Sequence, residues 1–364
     1  MPNLNWTFFR QALLDWYEPE RRPMPWKGLR DPYLIWLSEI ILQQTRVEQG
    51  WPYFERFRAA YPTVADLAAA EEDEVLRLWQ GLGYYSRGRN LLKAARMVMS
   101  DFAGVFPATL NEIRQLPGVG PYTGAAIASF AYDLAVAVVD GNVYRVLSRY
   151  ANEPSPIDTT TGKKLFAHYA ESALGTAQAA QYNQAIMDFG ALICTPKKPR
   201  CPSCPLQTKC AAFQHGTTSE LPVKSKKIKR RERFFYFLLL SREDEILLQR
   251  RGEGDIWTGL YQLPLIELPQ EASTQLNISD LPLTDYWPEW LPAAQLEWRK
   301  NYPPRSQQLT HQKIIGQFSA FSFKGKIELP EGTQWVNQQK IENHAFPKLI
   351  DDFFREKALY LDLF

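Results

Sequence analysis

The chain has 364 residues, which is long for a single hydrophobic core, so we expect two domains. It is 45% hydrophobic, 13% aromatic and 23% charged, which is typical of a globular protein and excludes a disordered or low-complexity chain. The formal net charge of +2 does not indicate a nucleic-acid partner, so any DNA-binding surface would have to be local.

The first residues lack the apolar segment of a signal peptide, and no stretch has the ~20 apolar residues of a membrane span. The sequence therefore predicts no membrane association and a location in the cytoplasm, at the bacterial nucleoid, or in a nucleus. Structural disulfides are rare in such reducing compartments.

Residues 4–190 have a helical pattern, with apolar residues three and four positions apart. Within them, residues 34–45 are apolar nearly all round, which predicts a buried helix that carries Glu39. A buried carboxyl group is costly unless its pKa rises or it finds a partner. If it is protonated near neutral pH, Glu39 is a competent general acid; the alternative is a structural glutamate bonded to a backbone group.

The sequence LPGVG at residues 116–120 lies between two helical stretches, and Pro121 suits the first position of the second helix. Gly118 and Gly120 permit a tight turn with outward-facing N–H groups. Together with the positive end of the following helix, these groups would bind a DNA phosphate. Such a turn also occurs as a plain connection between helices.

A short apolar run at residues 135–139 is either β-like or fully buried, and Asp140, Gly141 and Asn142 follow it. Asp140 suits the cap of a helix that begins near Gly141. A residue that caps a helix can also take part in catalysis, so capping does not exclude a functional role for Asp140.

All the cysteines of the chain fall in one proline-rich loop, residues 194–210. Four thiolates at this spacing can hold either zinc or a [4Fe–4S] cluster, and the spacing alone does not separate the two. The candidate ligands are Cys194, Cys201, Cys204 and Cys210.

A change of composition follows this loop. Residues 224–233 contain seven lysines and arginines against one acid, which indicates a solvated linker or a segment that rests on phosphates. Beyond it, residues 234–240 and 245–250 are typical of two strands around a turn, residues 316–323 of a further strand, and residues 345–358 of a closing helix. We therefore expect a separate α+β domain.

Residues 116–128 (LPGVGPYTGAAIA) and 139–143 (VDGNV) together resemble the helix-hairpin-helix signature of the endonuclease III-like DNA glycosylases. The cysteine loop resembles their [4Fe–4S] loop. The resemblance implies an all-α helix-hairpin-helix glycosylase domain at residues 1–220, with a [4Fe–4S] cluster that serves structure and DNA docking. It also places the essential aspartate of the superfamily at Asp140, with Asn142 in the catalytic set.

The segment WLSEIILQQTRV at residues 36–47 resembles the adenine DNA glycosylases of the MutY type. This resemblance implies that Glu39 protonates adenine at N7 and that Asp140 stabilises the positively charged sugar. Bifunctional relatives have a Schiff-base lysine where this chain has Tyr122. The resemblance therefore implies a monofunctional enzyme without a lyase step, in which Tyr122 supports the transition state.

The same resemblance implies two groups of residues that contact the substrate. The alternative for the aromatic residues among them is a place in the hydrophobic core, which is the commoner role of such residues. Positions of the adenine pocket match Arg22 and Trp26, and two departures stand beside them: Lys27 where arginine is frequent, and Gln184 where some members have glutamate. Positions near the mispair match Gln44, Thr45, Leu82 and Tyr84, of which the last two belong to the wedge beside 8-oxoguanine.

The sequence GLYQLP at residues 259–264 resembles the start of a Nudix segment, without the acidic metal box that should follow. The resemblance implies a Nudix-like 8-oxoguanine-recognition domain at residues 234–364, after a basic linker at residues 221–233. In this domain Thr310 and His311 would contact the lesion, with Leu309 where the family has an aromatic residue. The alternative is a Thr-His turn on the surface.

We therefore expect a monomeric base-excision-repair enzyme that hydrolyses the N-glycosidic bond of adenine mispaired with 8-oxoguanine, and also of adenine opposite guanine, in double-stranded DNA. The alternatives are a superfamily glycosylase for another base and a mismatch-binding protein with weak catalysis.

Overall fold

The computed structural model describes residues 4–18, 22–225, 230–269, 281 and 284–356. The chain divides into two compact units, each built from two segments. The first unit comprises Met1–Ala70 and Asn90–Lys227, and the second comprises Glu71–Arg89 and Ile228–Phe364. The sequence did not predict that residues 71–89 group with the C-terminal residues. Part of the basic linker, residues 226–229, lies outside the described residues.

The predicted helical pattern of residues 4–190 is confirmed. The first unit contains α1 (Trp6–Trp16), α2 (Pro32–Leu42), α3 (Val47–Ala60), α4 (Val64–Ala69), α7 (Leu110–Ile113), α8 (Pro121–Tyr132), α9 (Gly141–Ala151), α10 (Thr160–Leu174), α11 (Ala179–Leu192) and α12 (Ala211–Gln214). The second unit begins with α5 (Glu72–Trp79), and α6 (Ser86–Asp101) runs from the second unit into the first. No helix among the described residues is long and apolar enough to cross a bilayer.

The hairpin between α7 and α8 is built from the predicted turn residues. Gly118 has φ +81, a conformation that favours glycine, and Pro121 is the first residue of α8. Gly120 has an ordinary φ of −85 and is the N-cap of α8, with open space where a side chain would be. The side chain of Gln43, which ends α2, donates to the Gly118 carbonyl oxygen and to the Thr123 hydroxyl, and so links α2 to the hairpin.

The apolar run at residues 135–139 forms no strand, and within it Val138 is the fully buried residue. Its backbone is bonded by side chains of neighbouring helices instead of a second strand. The Asn183 side chain accepts from the Val138 N–H and donates to the Val136 carbonyl oxygen, and the Glu171 carboxylate accepts from the Ala137 N–H. The run thus leads directly to Asp140, which has an extended backbone and is the N-cap of α9.

The second unit contains the predicted α+β structure. Seven strands of the described residues form one mixed sheet, and α13 (Lys348–Arg355) covers one of its faces. The strands are β1 (Arg231–Arg242), β2 (Glu245–Arg250), β3 (Tyr261–Gln262), β4 (Leu265–Leu268), β5 (Leu296–Gln308), β6 (Gln312–Phe323) and β7 (Thr333–Asn337). Their main order is β3-β2-β1-β6-β5; β1 and β6 are parallel, and the other paired strands are antiparallel.

Side chains of β1 alternate between two cores, as the period of a strand requires. Phe235, Phe237 and Leu239 pack in the core that includes α13, whereas Leu238 and Leu240 pack in the core on the other face. Because both faces are covered, β1 is apolar at successive positions, and this is why the sequence predicted it clearly.

Gly118→Ala is expected to lower the melting temperature by several degrees, because alanine is strained at φ +81 and its Cβ would lie 3.0 Å from the Asn90 Cβ. Gly120→Ala is the matched control, and calorimetry should give it the melting temperature of the wild type. Equal melting temperatures for all three proteins would contradict the structure of this hairpin.

Candidate active site

Glu39 lies in the middle of α2, and only 7% of its surface is exposed. The helix is apolar around the carboxyl group, with Ile35, Ile40 and Ile41 buried beside it. The pKa of Glu39 is raised to about 7, mainly because burial removes solvent from the carboxyl group; a hydrogen bond with Tyr122 opposes the rise, and the nearby charge of Asp140 adds to it. Glu39 therefore holds a proton at a pH where an exposed glutamate has lost it.

Tyr122 is the second residue of α8, directly after the hairpin. Its hydroxyl is within hydrogen-bond range of Glu39 and 3.6 Å from the sulfur of Met187. Burial raises the pKa of Tyr122 well above its ordinary value, and the charges of Glu39 and Asp140 add to this effect. Tyr122 is thus a neutral hydrogen-bonding group at physiological pH.

Asp140 is the N-cap of α9, as the sequence predicted. One carboxylate oxygen accepts from the Val143 N–H at 2.7 Å, and the other accepts from the Asn142 side-chain amide at 2.7 Å. Burial raises the pKa of Asp140, but these donors and the charge of Arg145 favour its ionised form. Glu39 has no comparable set of donors, so the two carboxyl groups are suited to different protonation states.

These residues line one cavity of about 440 Å³ in the first unit. The cavity brings together all the residues predicted for catalysis and for the adenine pocket, and also Thr45, which was predicted to lie near the mispair. They are Arg22, Trp26, Lys27, Glu39, Thr45, Tyr122, Asp140, Asn142 and Gln184. Gln44 is not among the lining residues; it lies just beyond α2 with φ +59.

Trp26 is both a core residue and a cavity residue, so the two interpretations of its sequence position are compatible. It is buried, and its ring lies 5.3 Å from the ring of Phe54 in an edge-to-face arrangement. It also lines the cavity, where it supplies an aromatic surface.

Asp188 is a residue that the sequence reasoning missed. Its carboxylate is 1% exposed and accepts from Arg22 at 3.1 Å, from Lys27 at 2.7 Å and from Gln184 at 3.0 Å. One buried carboxylate thus binds all three polar residues that were predicted for the adenine pocket. Its sequence signal was weak, because Asp188 shares a face of α11 with Gln184, four residues before it, but belongs to no recognisable motif.

The cysteine loop is tied to α9 by two arginines. Arg149 is almost fully buried and donates to the Thr195 and Pro196 carbonyl oxygens, and its guanidinium lies 3.4 Å from the sulfur of Cys194. Arg145 donates to the Cys194 carbonyl oxygen at 2.6 Å and to the Asn142 side chain at 2.9 Å. A continuous chain of hydrogen bonds therefore joins Cys194 to Asp140 through Arg145 and Asn142.

The thiols of the loop lie near one another. Those of Cys201, Cys204 and Cys210 are each within electrostatic range of Cys194. Within the described ranges of the chain, no three His, Cys, Asp or Glu side chains form a site for a single metal ion. That finding concerns sites for single ions, and the ligands of a larger four-iron cluster lie farther apart.

The residues predicted to contact 8-oxoguanine gather in the second unit. Leu82, Tyr84, Thr310 and His311 line a cavity of about 570 Å³, and the Tyr84 and Thr310 hydroxyls are in contact. Leu82 is buried, whereas 46% of the Tyr84 surface is exposed. Tyr84 is therefore the member of the predicted wedge that is accessible to a ligand.

Comparison with known proteins assigns both halves of the chain. Residues 37–167 match the family described as HhH-GPD superfamily base excision DNA repair protein, and residues 235–356 match the NUDIX domain family. An adenine DNA glycosylase of Buchnera aphidicola from Acyrthosiphon pisum is 34% identical over 265 residues, which is 72% of this chain and 76% of that protein. The chain belongs to the adenine DNA glycosylase family.

Other members of the adenine DNA glycosylase family are similar over different lengths. The human protein is 31% identical over 409 aligned residues, which is 96% of this chain and 74% of that protein. The mouse protein is 44% identical over 229 residues, or 59% of this chain, and the match spans only 44% of the mouse protein.

Solved structures agree with the helical fold. A thermostable thymine-DNA glycosylase is 30% identical with a TM-score of 0.54, over 58% of this chain and 97% of that one. An endonuclease III in a non-covalent DNA complex has a TM-score of 0.50 at 22% identity, over 58% of this chain and 98% of that one. The predicted fold class, a helix-hairpin-helix glycosylase domain followed by a Nudix-like domain, is confirmed.

Glu39→Gln is expected to stabilise the protein at pH 8 and to leave its stability unchanged below pH 4. The native pKa of Glu39, about 7, exceeds the ordinary value of 4.5, so the wild type loses stability as the pH rises from 4.5 to 7. The full difference above pH 7 is roughly 3 kcal/mol, and a neutral glutamine avoids it. Urea unfolding of both proteins at pH 4, 6 and 8 measures the effect, and a constant difference across this range would contradict the raised pKa.

Proposed function

We propose that this adenine DNA glycosylase removes adenine mispaired with 8-oxoguanine, and also adenine opposite guanine, and that it does so by hydrolysis alone. The observation that carries the proposal is the pair of unlike carboxyl groups, Glu39 and Asp140, in one cavity with an aromatic side chain and hydrogen-bonding groups. Glycosidic bonds are broken by such pairs, in which one group donates a proton and the other stabilises the positive sugar.

Glu39 is the proton donor in this mechanism. An enzyme that acts on a stacked base extrudes it from the duplex, and the cavity of about 440 Å³ has room for a purine. Glu39 protonates adenine at N7, which makes the base a better leaving group. Its raised pKa supports this role, because the proton is held at neutral pH and is still acidic enough to transfer.

Asp140 and Tyr122 act on the sugar side of the bond. As the base departs, positive charge develops on the sugar, and the carboxylate of Asp140 stabilises it. The Asn142 amide and the Val143 N–H hold that carboxylate in place before the reaction begins. Water then forms the new bond to C1′ of the sugar and releases a proton, which leaves free adenine and an abasic site. Tyr122 is a neutral hydroxyl and offers no amine to attack the sugar, so the strand is not cut.

The four cysteines fit a [4Fe–4S] cluster by their chemistry and surroundings. Cys194, Cys204 and Cys210 pack against the hydrophobic core of the first unit. The cation of Arg149 lies beside Cys194, where it would offset the negative charge of thiolate ligands. Bound there, the cluster would stabilise the loop. The loop in turn positions Arg145, and Arg145 positions Asn142 against Asp140.

DNA is bound in part at the hairpin. The space beside Gly120 is open, and the N-terminus of α8 begins there, so a phosphate can approach the backbone closely. In the second unit, Tyr84, Thr310 and His311 line a cavity suited to contact the base opposite adenine. Their grouping supports recognition of 8-oxoguanine by the Nudix-like domain.

A single-turnover excision assay tests this function. The duplexes hold adenine opposite 8-oxoguanine, guanine or thymine, and a further duplex holds thymine opposite guanine. Strand breaks are measured with and without alkali. We expect alkali-dependent breaks at adenine opposite 8-oxoguanine and guanine only, and no excision by Glu39→Gln although it still binds the duplex.

Three outcomes would contradict the proposal. Breaks without alkali would show a lyase step and remove the role given to Tyr122. Excision of thymine instead of adenine would place the activity with that of the thymine-DNA glycosylase. Tight binding of the mispair without excision by the wild type would indicate a mismatch-binding protein.

A further inference from the structure

The cavity in the second unit contains an aromatic residue that neither the sequence nor the proposed function assigned. Trp257 lines this cavity of about 570 Å³, which also contains Tyr84, Leu309, Thr310 and His311. The indole ring packs against the Phe235 ring at 5.8 Å in an edge-to-face arrangement. Trp257 thus packs against the hydrophobic core of the second unit and also lines the cavity.

Trp257 has an unusual backbone conformation. Its φ is +64, in the left-handed region that bulky residues rarely adopt. Strained residues of this kind persist only where their surroundings hold them, and they concentrate at functional sites.

The loop around Trp257 is held from both sides. Arg251 donates to the Ile256 carbonyl oxygen at 2.9 Å and pairs with Asp255 at 2.6 Å. Arg233 also pairs with Asp255, at 2.7 Å, and the Arg89 guanidinium donates to the Thr258 carbonyl oxygen. These bonds fix the backbone before and after Trp257.

Tyr84 lies in a second strained turn at the same cavity. Its φ is +48, and it follows Gly81 and Gly83, which also have positive φ values. Arg87 is buried and donates to the carbonyl oxygens of Leu82 and Gly83, which fixes this turn. Two aromatic residues are therefore held in strained turns at one cavity.

The other side chains of the cavity indicate its ligand. Gln308, Thr310 and His311 can donate and accept hydrogen bonds. Arg89 and Lys348 bring positive charge, and the acid among the lining residues, Asp255, is already paired with two arginines. A nucleobase presents a flat face for stacking and polar edges for hydrogen bonds, and its backbone is anionic. The cavity is suited to such a ligand.

We propose that Trp257 supplies a stacking surface for the base that the proposed function places in this cavity, the purine opposite the excised adenine. This inference rests on the proposed function. It makes Trp257 a specificity-determining residue.

Binding to full-length protein tests the inference. The duplexes carry a non-cleavable 2′-fluoro analogue of adenine opposite 8-oxoguanine, guanine, or a tetrahydrofuran that lacks a base. Trp257→Asn removes the ring with a residue that tolerates the left-handed region. We expect it to bind both purine-containing duplexes about tenfold more weakly, and to bind the duplex without the opposite base as tightly as the wild type.

Two variants control for effects on folding. Trp257→Phe keeps an aromatic ring and should stay within about threefold of the wild type on every duplex. Trp298→Asn removes another tryptophan of the second unit, one that is 55% exposed on β5 and is not among the lining residues of the cavity. It should bind all three duplexes as the wild type does, and melting temperatures confirm that each variant is folded.

Equal weakening of all three duplexes by Trp257→Asn, or no weakening of any, would overturn the inference. These outcomes are separate from failure of the proposed function. If the wild type excises adenine no faster opposite 8-oxoguanine than opposite thymine, the proposed function fails. The comparison of duplexes with and without the opposite base still decides the role of Trp257.

Discussion

The candidate active site depends on the burial of one carboxyl group, that of Glu39, within the apolar helix α2. Transfer of this group from water favours its neutral form, which raises its pKa to about 7. The same burial weakens the fold at neutral pH, since an alternative neutral side chain would fit the site without this cost. The protein therefore retains a destabilising residue in the candidate active site, and groups with shifted pKa values of this kind concentrate at such sites.

The surroundings of Glu39 separate its properties from those of Asp140. Asp140 is also buried, but it caps α9, and its oxygens accept from the Val143 N–H and the Asn142 amide. The bonds that begin α9 thus also favour a negative charge on Asp140. Because Arg145 connects Asn142 to the Cys194 carbonyl oxygen, the position of this charge depends on the cysteine loop.

Local patterns in the sequence predicted the parts of the fold that depend on neighbouring residues. The apolar helix of Glu39, the hairpin at Gly118, the cap by Asp140 and the apolar strand β1 follow from spacing and residue type, and the structure has all of them. The run at residues 135–139 was predicted less well. Its bonding partners, Asn183 and Glu171, come from distant helices, so its own residues cannot reveal that side chains, and not a partner strand, bond its backbone.

Contacts between distant residues also explain what the sequence missed in the sites. Asp188 had no recognisable motif, and its role is visible only where Arg22 and Lys27 meet its carboxylate. The grouping of residues 71–89 with the C-terminal residues is likewise a tertiary property. Within the second unit, Arg250 pairs with Asp73 at 2.9 Å and the Tyr85 hydroxyl donates to the Phe346 carbonyl oxygen at 2.8 Å.

The proposed mechanism requires that Glu39 is protonated near neutral pH in the folded protein. Carbon-13 NMR of protein labelled at the glutamate side-chain carboxyl groups measures this directly, with Glu39→Gln used to assign the Glu39 signal. We expect this signal to titrate near pH 7, well above the ordinary value of 4.5. A Glu39 signal that titrates near pH 4.5 would contradict the claim and remove Glu39 as the proton donor.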